Sequence, residues 1–241
     1  MKKDKSVRVT QREKLTQPFE IKEFNWTENQ RQIIAQLLNK ENKIIFISGP
    51  AGSSKTLLSV FAALTYLKEK RVGELLYVRT VIESASKSLG FLPGAESDKF
   101  KPFMLPLEDK LYELLNKSSI DGLFKEDRIK CLPVNFLRGS SFNNKFIIGD
   151  ELQNFTKKEI ITLITRIGQF SKMILCGDLM QSDVNGHSGF GDILDLFSDE
   201  ASQKHGIIHI KLTAADVMRS PIVKFIVEKL ENTKNVDKNT K

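Results

Sequence analysis

The sequence predicts an α/β fold: a mainly parallel sheet flanked by helices on both faces. Three observations predict it. Short apolar segments that read as buried strands alternate with segments of helical period, which implies crossover connections. Lys43 to Ser48 reads as a buried strand, in keeping with a sheet covered on both faces. Every glycine-rich or acidic motif falls at the carboxyl end of one of these strands, where ligands gather in open α/β sheets.

The elements follow in order. Residues 1–24 lack a sustained apolar period and carry Lys2, Lys3, Lys5, Arg8, Arg12 and Lys14, so they are expected to form a basic, flexible arm. Thr27-Glu28-Asn29-Gln30 is a capping-box pattern, and Ile33, Ile34, Leu37 and Leu38 follow at helical spacing, which predicts a helix from Glu28 to Leu38. Lys43 to Ser48 reads as a buried strand, Ser54 to Glu69 as a helix and Leu75 to Arg79 as a second strand. The stretch from Ser84 to Pro106 is rich in Ser, Gly and Pro and is expected to leave the core. A helical pattern resumes from Leu107 to Leu115, and Ile129 to Leu132 suggests a short strand.

Phe146 to Ile148 is the next core strand. Thr156 and Glu159 form a second capping box, opening a helix to about Ile167. Met173 to Cys176 is a strand, Gly189 to Phe197 a short helix and Ile207 to Leu212 a strand. Pro221 suits the first turn of a last helix, to about Leu230. Residues 25–231 thus read as a single domain and residues 232–241 as a disordered basic tail.

Bulk composition excludes several classes. With 241 residues, 40% hydrophobic and 28% charged, the chain suits one large globular domain. The longest apolar runs are too short to span a bilayer and no secretory signal is present, so a cytoplasmic protein without membrane contact is expected. The two cysteines, Cys131 and Cys176, lie in or beside strand-like segments and read as buried free thiols. A net charge of +7 fits either a polyanion-binding surface or an ordinary basic exterior.

Gly49-Pro50-Ala51-Gly52-Ser53-Ser54-Lys55-Thr56 directly follows a strand and opens a helix, with Leu57 next. A phosphate loop requires this setting. Backbone N–H groups of the turn point at the phosphates, and the helix N-terminus adds a positive dipole end. Lys55 would reach the β- and γ-phosphates of ATP, and the Thr56 hydroxyl would bind Mg2+. Ser54 departs from the glycine usual at that position. If its backbone adopts positive φ, the strain is about 1–2 kcal/mol.

Phe146-Ile147-Ile148-Gly149 ends in Asp150-Glu151. Asp150 is expected at the Mg2+ held by Thr56, with Glu151 polarising the attacking water. The two motifs are expected to face each other across adjacent strand ends. Gly177-Asp178 and Gln181 end the next strand, where a polar group can sense the γ-phosphate. Arg79, Arg138, Arg166 and Arg219 are candidates to neutralise transition-state charge, with Arg219, between the last strand and last helix, the first choice.

With these residues in view, the chain resembles the PhoH-like ATPases of bacteria and bacteriophages. The resemblance rests on Gly49 to Thr56, Leu89-Gly90-Phe91-Leu92-Pro93-Gly94, Phe136-Leu137-Arg138-Gly139, Phe142-Asn143-Asn144, Asp150-Glu151 with Gln153-Asn154, Thr165-Arg166-Ile167-Gly168, and Gly177-Asp178 with Gln181. It implies a RecA-like core similar to the first motor domain of superfamily 1 helicases. By that analogy Gln30 would hydrogen-bond the adenine and Gln181 would touch the γ-phosphate. Arg79, Glu83 and the loop from Leu89 to Gly94 would form a family-specific feature near the site. Ser54, Ser140 and Ser220 depart from the family pattern.

The function expected is ATP hydrolysis acting on RNA or single-stranded nucleic acid. A single motor domain then implies self-assembly into a homo-oligomer, with an arginine crossing between subunits. Two alternatives are an ATP-dependent protein switch without nucleic acid and a nucleotide binder whose turnover is weakened at Ser54.

Overall fold

The computed structural model describes residues 18–80, 96–137, 141–179 and 189–217, together with Ile222, Phe225 and Lys229. Six strands, β1 (Ile44–Ser48), β2 (Glu74–Arg79), β3 (Ile129–Pro133), β4 (Lys145–Gly149), β5 (Lys172–Gly177) and β6 (Ile207–Lys211), form one sheet in the order β3-β2-β4-β5-β1-β6. Every pairing is parallel.

Alternate residues of each strand enter different cores, as the two-residue period of a strand requires. Ile45 and Ile47, with Leu75, Tyr77, Phe146, Ile148, Ile174 and Cys176, pack into one cluster, and α1 (Glu28–Leu38) and α2 (Lys55–Lys68) contribute to it. Phe46, Leu76, Val78, Ile147, Met173 and Leu175 enter the other. Ile160 and Leu163 of α5 (Lys157–Ile164) and Phe190 and Ile193 of α6 (Gly189–Leu196) complete this second cluster.

Both capping boxes form. Thr27 Oγ1 accepts from the Gln30 N–H while the Gln30 side chain accepts from Thr27 N–H, and Thr156 and Glu159 do the same for α5. Helix α1 has the predicted bounds. Helix α5 stops at Ile164, three residues short of the expected end.

Three expectations need correction. Residues 18–24, assigned to a flexible arm, include Phe19, which is buried in the first core cluster, and Lys22, whose N–H donates to Leu114 O at 2.8 Å. Helix α3 spans Glu96–Leu114, so it begins within the stretch expected to be irregular and runs through Pro102 and Pro106. Each proline costs about 3 kcal/mol in a helix interior. Burial of Leu107, Leu111 and Leu114 against the core opposes that cost.

The third correction concerns two unexpected helices, α4 (Lys117–Lys125) and α7 (Glu200–Lys204). Asn116 and Asp199 cap them by accepting from Ser119 N–H and Ser202 N–H. Their brevity, and Gly122 inside α4, kept them below the threshold of a periodic signal. Ile222, Phe225 and Lys229 are helical, where the last helix is expected; its remaining residues, with residues 1–17 and 232–241, lie outside the described residues. Among the described residues no helix is long and apolar enough to cross a membrane.

Candidate functional site

The carboxyl ends of β1, β5 and β4 lie side by side, each closing on a glycine: Gly49 just past β1, Gly177 and Gly149. The expectation of adjacent strands for the two motifs is corrected here, because β5 separates β1 from β4. The motifs nevertheless meet. Thr56 Oγ1 donates to Asp150 Oδ1 at 3.0 Å. Gly177, at the end of the intervening strand, makes room for α6: a Cβ there would meet the Phe190 ring at 2.5 Å.

Along the loop, the backbone takes the left-handed turn that a phosphate cradle needs. Gly52 has φ +83° and Ser54 has φ +66°, ψ +16°. Ser54 is therefore strained, since an L side chain pays for that region whereas glycine does not. Ser53 is buried and its hydroxyl donates to Pro50 O at 2.8 Å, which braces the turn. Lys55 Nζ donates to Gly49 O at 2.6 Å and Pro50 O at 2.8 Å, so the ammonium lies within the loop. Gly49 has a packing reason of its own: a Cβ would approach Leu212 Cβ to 2.7 Å.

The acidic pair divides into two environments. Asp150 is buried, with Oδ1 accepting from Thr56 and Oδ2 accepting from the Tyr77 hydroxyl at 2.5 Å. Tyr77 is fully buried, and burial together with the Asp150 charge pushes its phenol well above the usual range. It therefore acts as a donor, which orients the carboxylate. Glu151 sits at φ +57°, ψ +45°, a further left-handed residue at the same spot. Burial, then the Asp150 charge, raises its pKa, opposed by the Gln153 hydrogen bond and the charges of Arg79 and Lys55.

Gln153 links the two strand ends. Its Nε2 donates to Glu151 Oε2, and its Oε1 accepts from Asp178 N–H at 2.9 Å. Neither Gln153 nor Tyr77 has a role that the sequence reading assigned. The spacing of Gln153, two residues past the acid, was the available signal. Tyr77 offered only a polar tip inside an apolar strand.

These groups line a cavity of about 580 Å³ bounded by Phe24, Gln30, Ala51 to Leu57 without Ser53, Arg79, Asp150, Glu151 and the Pro106, Asp109, Lys110 and Glu113 side of α3. Gln30 and Leu57 are thus among the residues lining the cavity. Pro50 and Ser53 support the loop from behind. Of the α3 wall, Pro106 closes the stretch expected to leave the core, and Asp109, Lys110 and Glu113 belong to the helix expected from Leu107 to Leu115.

Of the arginines, Arg79 lines the cavity. Arg166 follows α5 near the amino end of β4, where its carbonyl accepts from Phe142 N–H at 2.8 Å. Arg138, Gln181 and Arg219 lie outside the described residues, as do Glu83, the Leu89 to Gly94 loop, Ser140 and Ser220.

Hard oxygen donors on Thr56 and Asp150, already at hydrogen-bond distance, fit Mg2+, which takes one or two protein oxygens and completes its shell with phosphate and water. The cysteines are buried and form no disulfide. Burial raises Cys131 to about 12 and Cys176 higher still, so neither is a nucleophile at neutral pH.

A family model described as PhoH-like protein matches residues 24–231. The PhoH-like protein of Synechocystis sp. is 35% identical over 209 residues, covering 87% of this chain and 62% of the relative. Its counterpart in Mycobacterium tuberculosis (strain ATCC 25618 / H37Rv) is 37% identical over 190 residues, covering 78% and 52%. The chain therefore spans between 52% and 62% of the length of these relatives. Among solved structures, the Pyrococcus furiosus Hef helicase domain aligns with a TM-score of 0.46 at 12% identity, over 78% of this chain and 38% of that one. The Sulfolobus solfataricus SWI2/SNF2 ATPase core in complex with dsDNA aligns with a TM-score of 0.45 at 14% identity, over 82% and 46%. By the family model and these relatives, the chain belongs to the PhoH-like protein family.

Proposed function

We propose that this chain binds ATP with Mg2+, hydrolyses it, and couples hydrolysis to work on RNA or another single-stranded nucleic acid. The observation that carries the reading is the 3.0 Å hydrogen bond from Thr56 to Asp150 at the mouth of a positive-φ, glycine-containing loop. In this reading, residues 25–231 form the ATPase domain. Loop N–H groups of Ala51, Gly52 and Ser54 and the N-terminus of α2 hold the phosphates, Lys55 neutralises the β- and γ-oxygens, and Gln30 contacts the adenine. Thr56 and Asp150 would hold Mg2+, which when bound would neutralise phosphate charge.

Glu151 accepts the proton of the attacking water or orients it. Its raised pKa suits a base better than an ordinary surface carboxylate. Gln153 aims the Glu151 carboxylate through its amide. Gln181 and Arg219 are proposed to sense and neutralise the γ-phosphate, Arg219 from a neighbouring copy in a homo-oligomer. The net charge of +7 favours a polyanionic partner.

Phosphate release measured with and without single-stranded RNA and DNA tests the reading. ATP turnover that rises with single strands supports it. Turnover unresponsive to any oligonucleotide favours a nucleotide-driven protein switch. One observation favours a second reading, slow turnover with intact binding: Ser54 holds the left-handed position that glycine would take without strain.

A further inference from the structure

Besides the phosphate loop, the cavity is lined by two elements that the function above leaves unused, the segment before α1 and α3. Phe24 is 38% exposed and lines the cavity with Gln30. An exposed phenylalanine normally swings between rotamers. This one is held, because its ring stacks on Trp26 with centroids 4.6 Å apart and planes 25° from parallel. Trp26 is in turn fixed edge-on against Phe61 of α2 at 5.0 Å. The arrangement presents a rigid aromatic face, already ordered, in a cavity whose loop suits a triphosphate.

The lining carries both signs of charge: Lys55 and Arg79 are cationic, whereas α3 brings Asp109 and Glu113 to the wall, with Lys110 paired to Glu113. Carboxylates at that wall disfavour phosphate there and accept hydrogen bonds from the hydroxyls and amines of a nucleoside.

We infer that Phe24, backed by Trp26, is the stacking platform for the nucleobase, and that the chain is thereby selective for nucleotides over bare polyphosphates. The inference rests on the reading of Gly49 to Thr56 as a phosphate loop. Stacking of a base on an aromatic side chain is worth about ten-fold in affinity, or somewhat more. Trp26 supplies its own reporter, since it is the one tryptophan in the chain and touches the platform directly.

The test is a titration of the full chain with Mg2+-ATP and with Mg2+-tripolyphosphate, followed by Trp26 emission and by calorimetry. ATP is expected to bind about ten-fold more tightly than tripolyphosphate and to change the emission. Phe24→Leu is expected to bring ATP down to the tripolyphosphate level while leaving tripolyphosphate affinity unchanged, which also certifies the fold. Phe24→Tyr should restore the preference. Equal loss for both ligands in Phe24→Leu, or no loss for either, overturns the platform. Failure of the phosphate-loop reading looks different: wild type and Lys55→Ala would then be indistinguishable with both ligands, which removes the ground of the inference as well.

Discussion

Thr56 and Asp150 stand 94 residues apart in sequence and on elements separated by an entire strand, yet their side chains share a 3.0 Å hydrogen bond. The contact reaches across the end of β5, the strand that lies between β1 and β4. It joins the two motifs into one site.

Replacing Asp150 tests that junction. Asp150→Asn keeps the shape but removes the charge that would face Mg2+. Turnover is expected to fall by about a hundred-fold or more, consistent with losing one electrostatic contact of ~3 kcal/mol in a buried site. Affinity for ATP measured in EDTA should change little. Equal loss with and without metal would assign Asp150 a structural role instead.

Tyr77 holds the other oxygen of that carboxylate. Tyr77→Phe removes one buried donor and leaves the ring, so the stability loss is expected at about 1–2 kcal/mol by denaturant unfolding. The functional sign is a higher Mg2+ concentration for half-maximal ATP binding. An unchanged Mg2+ dependence contradicts an orienting role.

Glu151 carries a pH signature. Its folded pKa lies above its ordinary value of 4.5, chiefly through burial. The neutral acid is therefore favoured by folding; that stabilisation is complete below the unfolded pKa and is lost as pH rises through the folded one. As the base must be ionised, kcat/KM should fall on acidification with a midpoint above 4.5. Glu151→Gln should abolish turnover, retain ATP binding and melt higher than wild type at neutral pH. A lower melting temperature would refute the burial argument.

Ser54→Gly separates strain from chemistry. Relief of the left-handed backbone gains about 1–2 kcal/mol, and the added freedom of unfolded glycine costs about 0.4–1, so a net gain near 0.5–1 kcal/mol is expected. If Ser54 also slows turnover, phosphate release rises in the same variant. A rate that stays level confines the effect to stability.

The strands and both motifs were legible because buried parallel strands are near-continuous apolar runs and a phosphate loop needs a particular residue order. Helix α1 was legible to the residue because its capping box is local. What escaped detection was set by tertiary contacts. Helix α3 runs through two prolines because its leucine face is buried, and no local propensity records that. The place of β5 between the two motif strands, and the turning of Tyr77 toward Asp150, depend on strand order, which the alternation of elements leaves open.

Equilibrium binding of Mg2+-ATP to wild type and Lys55→Ala tests the joined site most directly. The account predicts tight, Mg2+-dependent binding by wild type and a loss of about ten-fold or more once the ammonium within the loop is removed. Equal affinity in the two proteins, or wild-type binding indifferent to Mg2+, would contradict it.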